Sequence, residues 1–119
     1  MRRLGTVVVV MVAAVAAGSS SAAPKHIVHG VVGPGAAISL KDGLGNPYTS
    51  GRAGMYVVSV RDRSTRDGFR LVGPGVNMVV TGVSFVGGRT VSLTLGPGTY
   101  TYRSDAHPRT LRGTFVLKR

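Results

Sequence analysis

Beyond residue 24 every apolar segment is short, most alternate with polar residues, and glycine and proline fill the breaks between them. Ile38 and Leu40 alternate with Ser39 and Lys41, and Tyr56, Val58 and Val60 with Val57, Ser59 and Arg61. The same pattern returns at Val91, Leu93 and Leu95, at Tyr100 and Tyr102, and at Phe115 and Leu117. A period of two puts one set of side chains on each face of a strand, whereas an amphipathic helix needs a period of about 3.6. No segment past the N-terminal run shows the helical period. Less regular apolar pieces at 27–32, 69–72 and 79–86 add further strands. Gly-Pro-Gly occurs at 33–35, 73–75 and 96–98, where proline presets one backbone angle and the glycines accept positive ones. Seven to eight short strands with turns at this spacing predict an all-β, antiparallel two-sheet Greek-key sandwich.

The N-terminus has a different character. Arg2 and Arg3 precede an apolar run of 14 residues, 4–17, followed by small residues suited to cleavage. A bilayer span needs about 18–20 apolar residues, so residues 1–23 are expected to be a secretory signal peptide and residues 24–119 the mature domain. The expected location is the cell exterior, secreted or in the envelope, and the periplasm if the envelope is Gram-negative. No cysteine is present, which removes disulfides, thiolate nucleophiles and thiolate metal ligands together. A small exported domain without disulfides has to rely on its apolar core.

Without Arg2 and Arg3, 13 basic residues face four aspartates, a formal charge of +9. That field favours anionic partners, and anionic cell-envelope material is the expected one. The basic residues are dispersed along the sequence and are not interleaved with aromatics, so no specific nucleic-acid partner is expected. Neither is a membrane span, and the mature protein is expected to be a monomer.

Chemistry is limited by what the chain lacks. With no glutamate, a general acid or base must come from Asp42, Asp62, Asp67, Asp105 or the histidines His26, His29 and His107. Ser104, Asp105 and His107 are too close in sequence to converge as a hydrolytic triad, which needs the base between the nucleophile and the orienting carboxylate. The chain is therefore expected not to be an enzyme. His26 and His29 lie three apart, on opposite faces of a strand, so they are expected to act as separate surface groups.

Two segments carry a resemblance. The stretch GTYTYRSDAHPRTLRGTFVLKR, 98–119, resembles the C-terminal metal loop and last strand of the cupredoxins, the blue copper proteins related to plastocyanin. VSVRDRSTRDGFRLVGPGV, 58–76, is similar to the family segment that carries the first histidine ligand, and with residues 28–60 the resemblance spans nearly all of the mature chain. It implies a cupredoxin sandwich, copper and electron transfer. It also implies a ligand set, and there this chain departs. Ser104 stands for the cysteine, Leu111 for the axial methionine, and Asp67 or Arg70, depending on alignment, for a histidine. Only His107 matches. A blue copper centre depends on two imidazoles and a thiolate; a serine hydroxyl is harder and far less acidic, leucine has no donor, and arginine is a fixed cation. No cofactor is therefore expected, with copper on His107 and other nitrogen or oxygen ligands as the alternative. The vacated loop is expected to be held by Arg70 pairing with Asp67 or Asp105, and by Ser104 and His107 hydrogen-bonding within one pocket between the sheets.

Overall fold

A computed structural model describes residues 25–119, and within them the alternating segments become nine strands. These are β1 (Lys25–Val32), β2 (Ile38–Lys41), β3 (Ser50–Arg52), β4 (Gly54–Asp62), β5 (Phe69–Gly73), β6 (Val76–Thr81), β7 (Gly87–Leu95), β8 (Gly98–Arg103) and β9 (Arg112–Lys118). The signal peptide expected over 1–23 lies outside the described residues. One sheet has four strands in the order β2-β1-β4-β7, and the other has five in the order β3-β9-β8-β5-β6.

The all-β sandwich matches the sequence reading, but its pairing is not antiparallel throughout. β1 runs parallel to β4 over its whole length, Lys25 opposite Met55 and Val32 opposite Asp62. β3 runs parallel to β9, with Ser50 opposite Val116. Alternation says which face a residue takes, whereas the direction of pairing depends on the path of the chain between strands, and a parallel pair needs a crossover connection. β3 is also the added strand. Its three residues lie in a glycine- and serine-rich stretch too short to show a period. At 79–86, expected to be one strand, β6 instead ends at Thr81 and a turn follows.

All three Gly-Pro-Gly stretches fall at strand junctions, between β1 and β2, β5 and β6, and β7 and β8. Gly35 (φ 78°) and Gly75 (φ 73°) take left-handed backbone there, which a side chain would strain.

The core follows the period-two prediction. Tyr56, Val58 and Val60 of β4 are buried, while Met55 and Arg61 face water. Opposite them lie Phe69, Leu71, Tyr100 and Phe115 of the five-stranded sheet, with Tyr100 stacked on Phe115 at a ring separation of 5.3 Å. Buried tyrosines need a partner for the hydroxyl. Tyr100 donates to the Gly96 carbonyl at 2.8 Å and Tyr56 to that of Arg52 at 2.6 Å. Burial raises the pKa of both phenols. β4 ends at Asp62 and β8 at Arg103, so the loops that follow them, 63–68 and 104–111, emerge at one end of the sandwich.

Candidate functional site

Short polar side chains shape both loops. Asp62 Oδ1 accepts the Ser64 N–H at 3.0 Å, and Ser64 Oγ accepts those of Arg66 and Asp67 at 3.1 and 3.2 Å. Side chains that bond to backbone a few residues on replace strand pairing with a tight turn, and this one carries the Asp67 carboxylate inward. Gly68 then passes close to the strand opposite. A Cβ built there would collide with the Thr81 carbonyl oxygen, side chain against backbone with no rotamer to relieve it. Gly68→Ala should therefore destabilise the fold by about 1–3 kcal/mol, the usual range for overpacking, measured as a lower urea midpoint.

The second loop closes on itself. Ser104 donates its N–H to the Leu111 carbonyl at 2.9 Å, and the Leu111 N–H returns to His107 at 2.9 Å. Ser104 Oγ accepts the N–H groups of Ala106 and His107 at 3.2 and 3.3 Å. Its own proton goes to Asp67 Oδ1, 2.7 Å away, and His107 Nδ1 lies 2.6 Å from the same oxygen. Ser104 is fully buried and Asp67 nearly so, while the His107 side chain is 54% exposed.

Burial alone would raise the Asp67 pKa. Hydrogen bonds from His107 and Ser104, with the nearby Arg66 charge, outweigh it and hold the carboxyl below its ordinary range. An ionised carboxylate only accepts, so His107 carries its proton on Nδ1 and Ser104 donates. The order of the groups excludes hydrolytic-triad geometry. The carboxylate sits between serine and histidine, where the imidazole would have to be.

Asp67, Ser104 and His107 thus come together, and Leu111 closes the same loop through its backbone. Arg70, the other candidate for a histidine position, does not join them. A register shift between Phe69 and Arg70 starts β5, and the Arg70 side chain lies outside the sandwich. There it grips Asp105 with two bonds, Nε to Oδ1 at 2.7 Å and Nη2 to Oδ2 at 3.0 Å, and gives Nη1 to Asn77 at 2.6 Å. This pairing lowers the Asp105 pKa and raises that of Arg70. The two sets of bonds fasten the 104–111 loop to the 63–68 loop and to β5, at one end of the sandwich and not across its middle.

The residues present do not fit a type-1 copper ion. One imidazole, one carboxylate and one hydroxyl replace two imidazoles and a thiolate, and a single oxygen of Asp67 already takes both neighbouring protons. Among the described residues no group of three or more histidine, cysteine, aspartate or glutamate side chains could hold a metal. His26 and His29 do not help. His26 stacks on Tyr56 at 4.7 Å near the start of β4, at the opposite end from His107, and His29 points out from the other face of β1.

A feature that sequence reading missed is a cavity of about 360 Å³ between Gly35, Ala36, Arg63, Thr65, Arg66 and His107. Its lining comes from three separated segments, which no local pattern joins.

No family model matches the chain, and no curated protein matches it in sequence. Among solved structures, reduced rusticyanin superposes with a TM-score of 0.60 at 18% identity, over 82% of each chain. Rusticyanin from Thiobacillus ferrooxidans gives 0.58 at 16% identity, over 82% of this chain and 79% of that one. A methionine-to-leucine variant of rusticyanin gives 0.60 at 19% identity, with the same coverage. The fold of this chain is that of a cupredoxin.

Proposed function

We propose that this cupredoxin-fold protein has lost type-1 copper and serves outside the cell as a non-enzymatic binding or structural module, with a basic surface that meets anionic envelope material. Residues 24–119 form the working monomer once residues 1–23 are removed on export. One observation carries the reading. Where the resemblance implies copper ligands, Asp67 Oδ1 instead accepts protons from both Ser104 and His107, so the loop is held by protein hydrogen bonds.

Copper(II) added to the purified protein is expected to give no intense visible band, since that absorption comes from a copper–thiolate bond. A blue product would overturn the reading. A second reading is favoured by the exposed His107 ring, whose Nε2 has no hydrogen bond among the described residues. In it, His107 with other nitrogen or oxygen ligands binds copper and the protein transfers electrons. Tight copper binding that His107→Ala abolishes would establish that alternative.

A further inference from the structure

The fold gathers charge that the sequence scatters. Arg61 ends the outward face of β4, Arg63 and Arg66 lie in the loop beyond it, and Arg89 pairs with Val60 at the same end of β7. On the other sheet Arg70, Arg103 and Arg112 stand opposite one another across β5, β8 and β9, and Arg109 lies in the loop above them. Eight of the 13 basic residues of 24–119 thus occupy one end. The three acids there, Asp62, Asp67 and Asp105, offset only part of that charge. Asp62 and Asp67 are buried, and Asp105 is taken by Arg70. Among the described residues no ion pair involves Arg61, Arg63, Arg66 or Arg89.

The same end carries an apolar tip. Between β6 and β7 the chain turns at 82–86, the Phe85 N–H donating to the Gly82 carbonyl at 3.1 Å. Val83 and Phe85 are each 37% exposed and Val86 is 55% exposed. The turn leads into Gly87 and Gly88, which pair with Asp62 and Arg61, so the tip adjoins the arginines. On its other side Gly82 lies against Gly68, next to Asp67.

We infer that this end docks on an anionic lipid surface, with Val83, Phe85 and Val86 entering the headgroup region and Arg61, Arg63, Arg66 and Arg89 meeting lipid phosphates. The inference rests on the proposed binding role of the basic surface and names its partner. Arginine suits phosphate because its planar fork donates two parallel bonds. A dissolved polyanion would satisfy the arginines but leave the apolar tip in water. A lipid boundary accommodates both, because apolar side chains gain at the headgroup–acyl interface while cations gain from anionic headgroups.

Co-sedimentation of the exported protein with vesicles tests this. Binding is expected to phosphatidylglycerol/phosphatidylcholine vesicles, weakly if at all to phosphatidylcholine alone, and to fall with added salt. Arg63→Gln with Arg66→Gln should lower partitioning about 25-fold, about fivefold for each charge. Phe85→Ser with Val86→Ser should lower it about tenfold. Lys25→Gln with Lys118→Gln, at the opposite end, should change it far less. Thermal unfolding confirms that each variant is folded. Equal binding to both vesicle types, an equal loss from the lysine pair, or no effect of the Phe85 and Val86 changes overturns lipid docking. If lipid docking fails in one of these ways but the protein is retained on immobilised dextran sulfate, and the arginine changes weaken that retention, the basic-surface reading survives without lipid. Retention on neither material removes both.

Discussion

The triple variant Ser104→Cys, Asp67→His and Leu111→Met should take up copper(II) and turn blue, while the parent protein stays colourless. The three positions are already set in a cupredoxin frame. Ser104 and Asp67 are in direct contact at 2.7 Å, His107 touches the same carboxylate, and Leu111 closes the loop by its backbone bonds with Ser104 and His107. Together with His107, the substitutions restore two imidazoles, a thiolate and a thioether, the donor set of a blue copper site. Visible absorption on titration with copper, lost again in a quadruple variant that adds His107→Ala, is the measurement. A folded triple variant that binds copper without an intense visible band would mean that the frame no longer holds the trigonal geometry.

Asp67→Ala should be the most damaging change at the natural site. It leaves the fully buried Ser104 hydroxyl without an acceptor and releases His107. An unsatisfied buried donor together with lost charge-assisted bonds should cost about 3 kcal/mol, read from urea denaturation near neutral pH. Asp67→Asn keeps an acceptor oxygen and should cost less. The two variants also separate charge from shape through pH. The folded-state pKa of Asp67 lies below its unfolded value, so the stability it supplies is fully present above about pH 4, the ordinary carboxylate range. That stability is lost as pH falls through the folded-state value. The wild-type protein should therefore lose stability in acid more steeply than Asp67→Asn. Asp105, lowered by Arg70, adds the same sign of dependence in both proteins and cancels in the comparison. Parallel acid limbs would mean that Asp67 is not ionised in the folded state.

Much of the fold was legible because burial imposes the period of two. Tyr56, Val58 and Val60 alternate in sequence and are buried, and the glycine–proline breaks sit where strands end. The parallel pairs β1 with β4 and β3 with β9 leave no such trace, and β3 has three residues in a stretch that reads as turn. At the site, Ser104 and His107 were visible as neighbours in one loop. That Asp67 meets them while Arg70 binds Asp105 was not, because it depends on how the 63–68 turn folds and where β5 begins. Charge was least legible. Arginines far apart in sequence meet at one end because strand polarity brings them there, and spacing along the chain does not record strand polarity.

The two parallel pairings also bear on when this protein can fold. Ser50 cannot meet Val116 until nearly the whole domain has been made, and β1 waits for the chain to return as β4 before its second edge is covered. Topologies dominated by distant partners assemble slowly. On the proposed route of export that delay is an advantage, since a chain that has yet to find its last strand remains threadable.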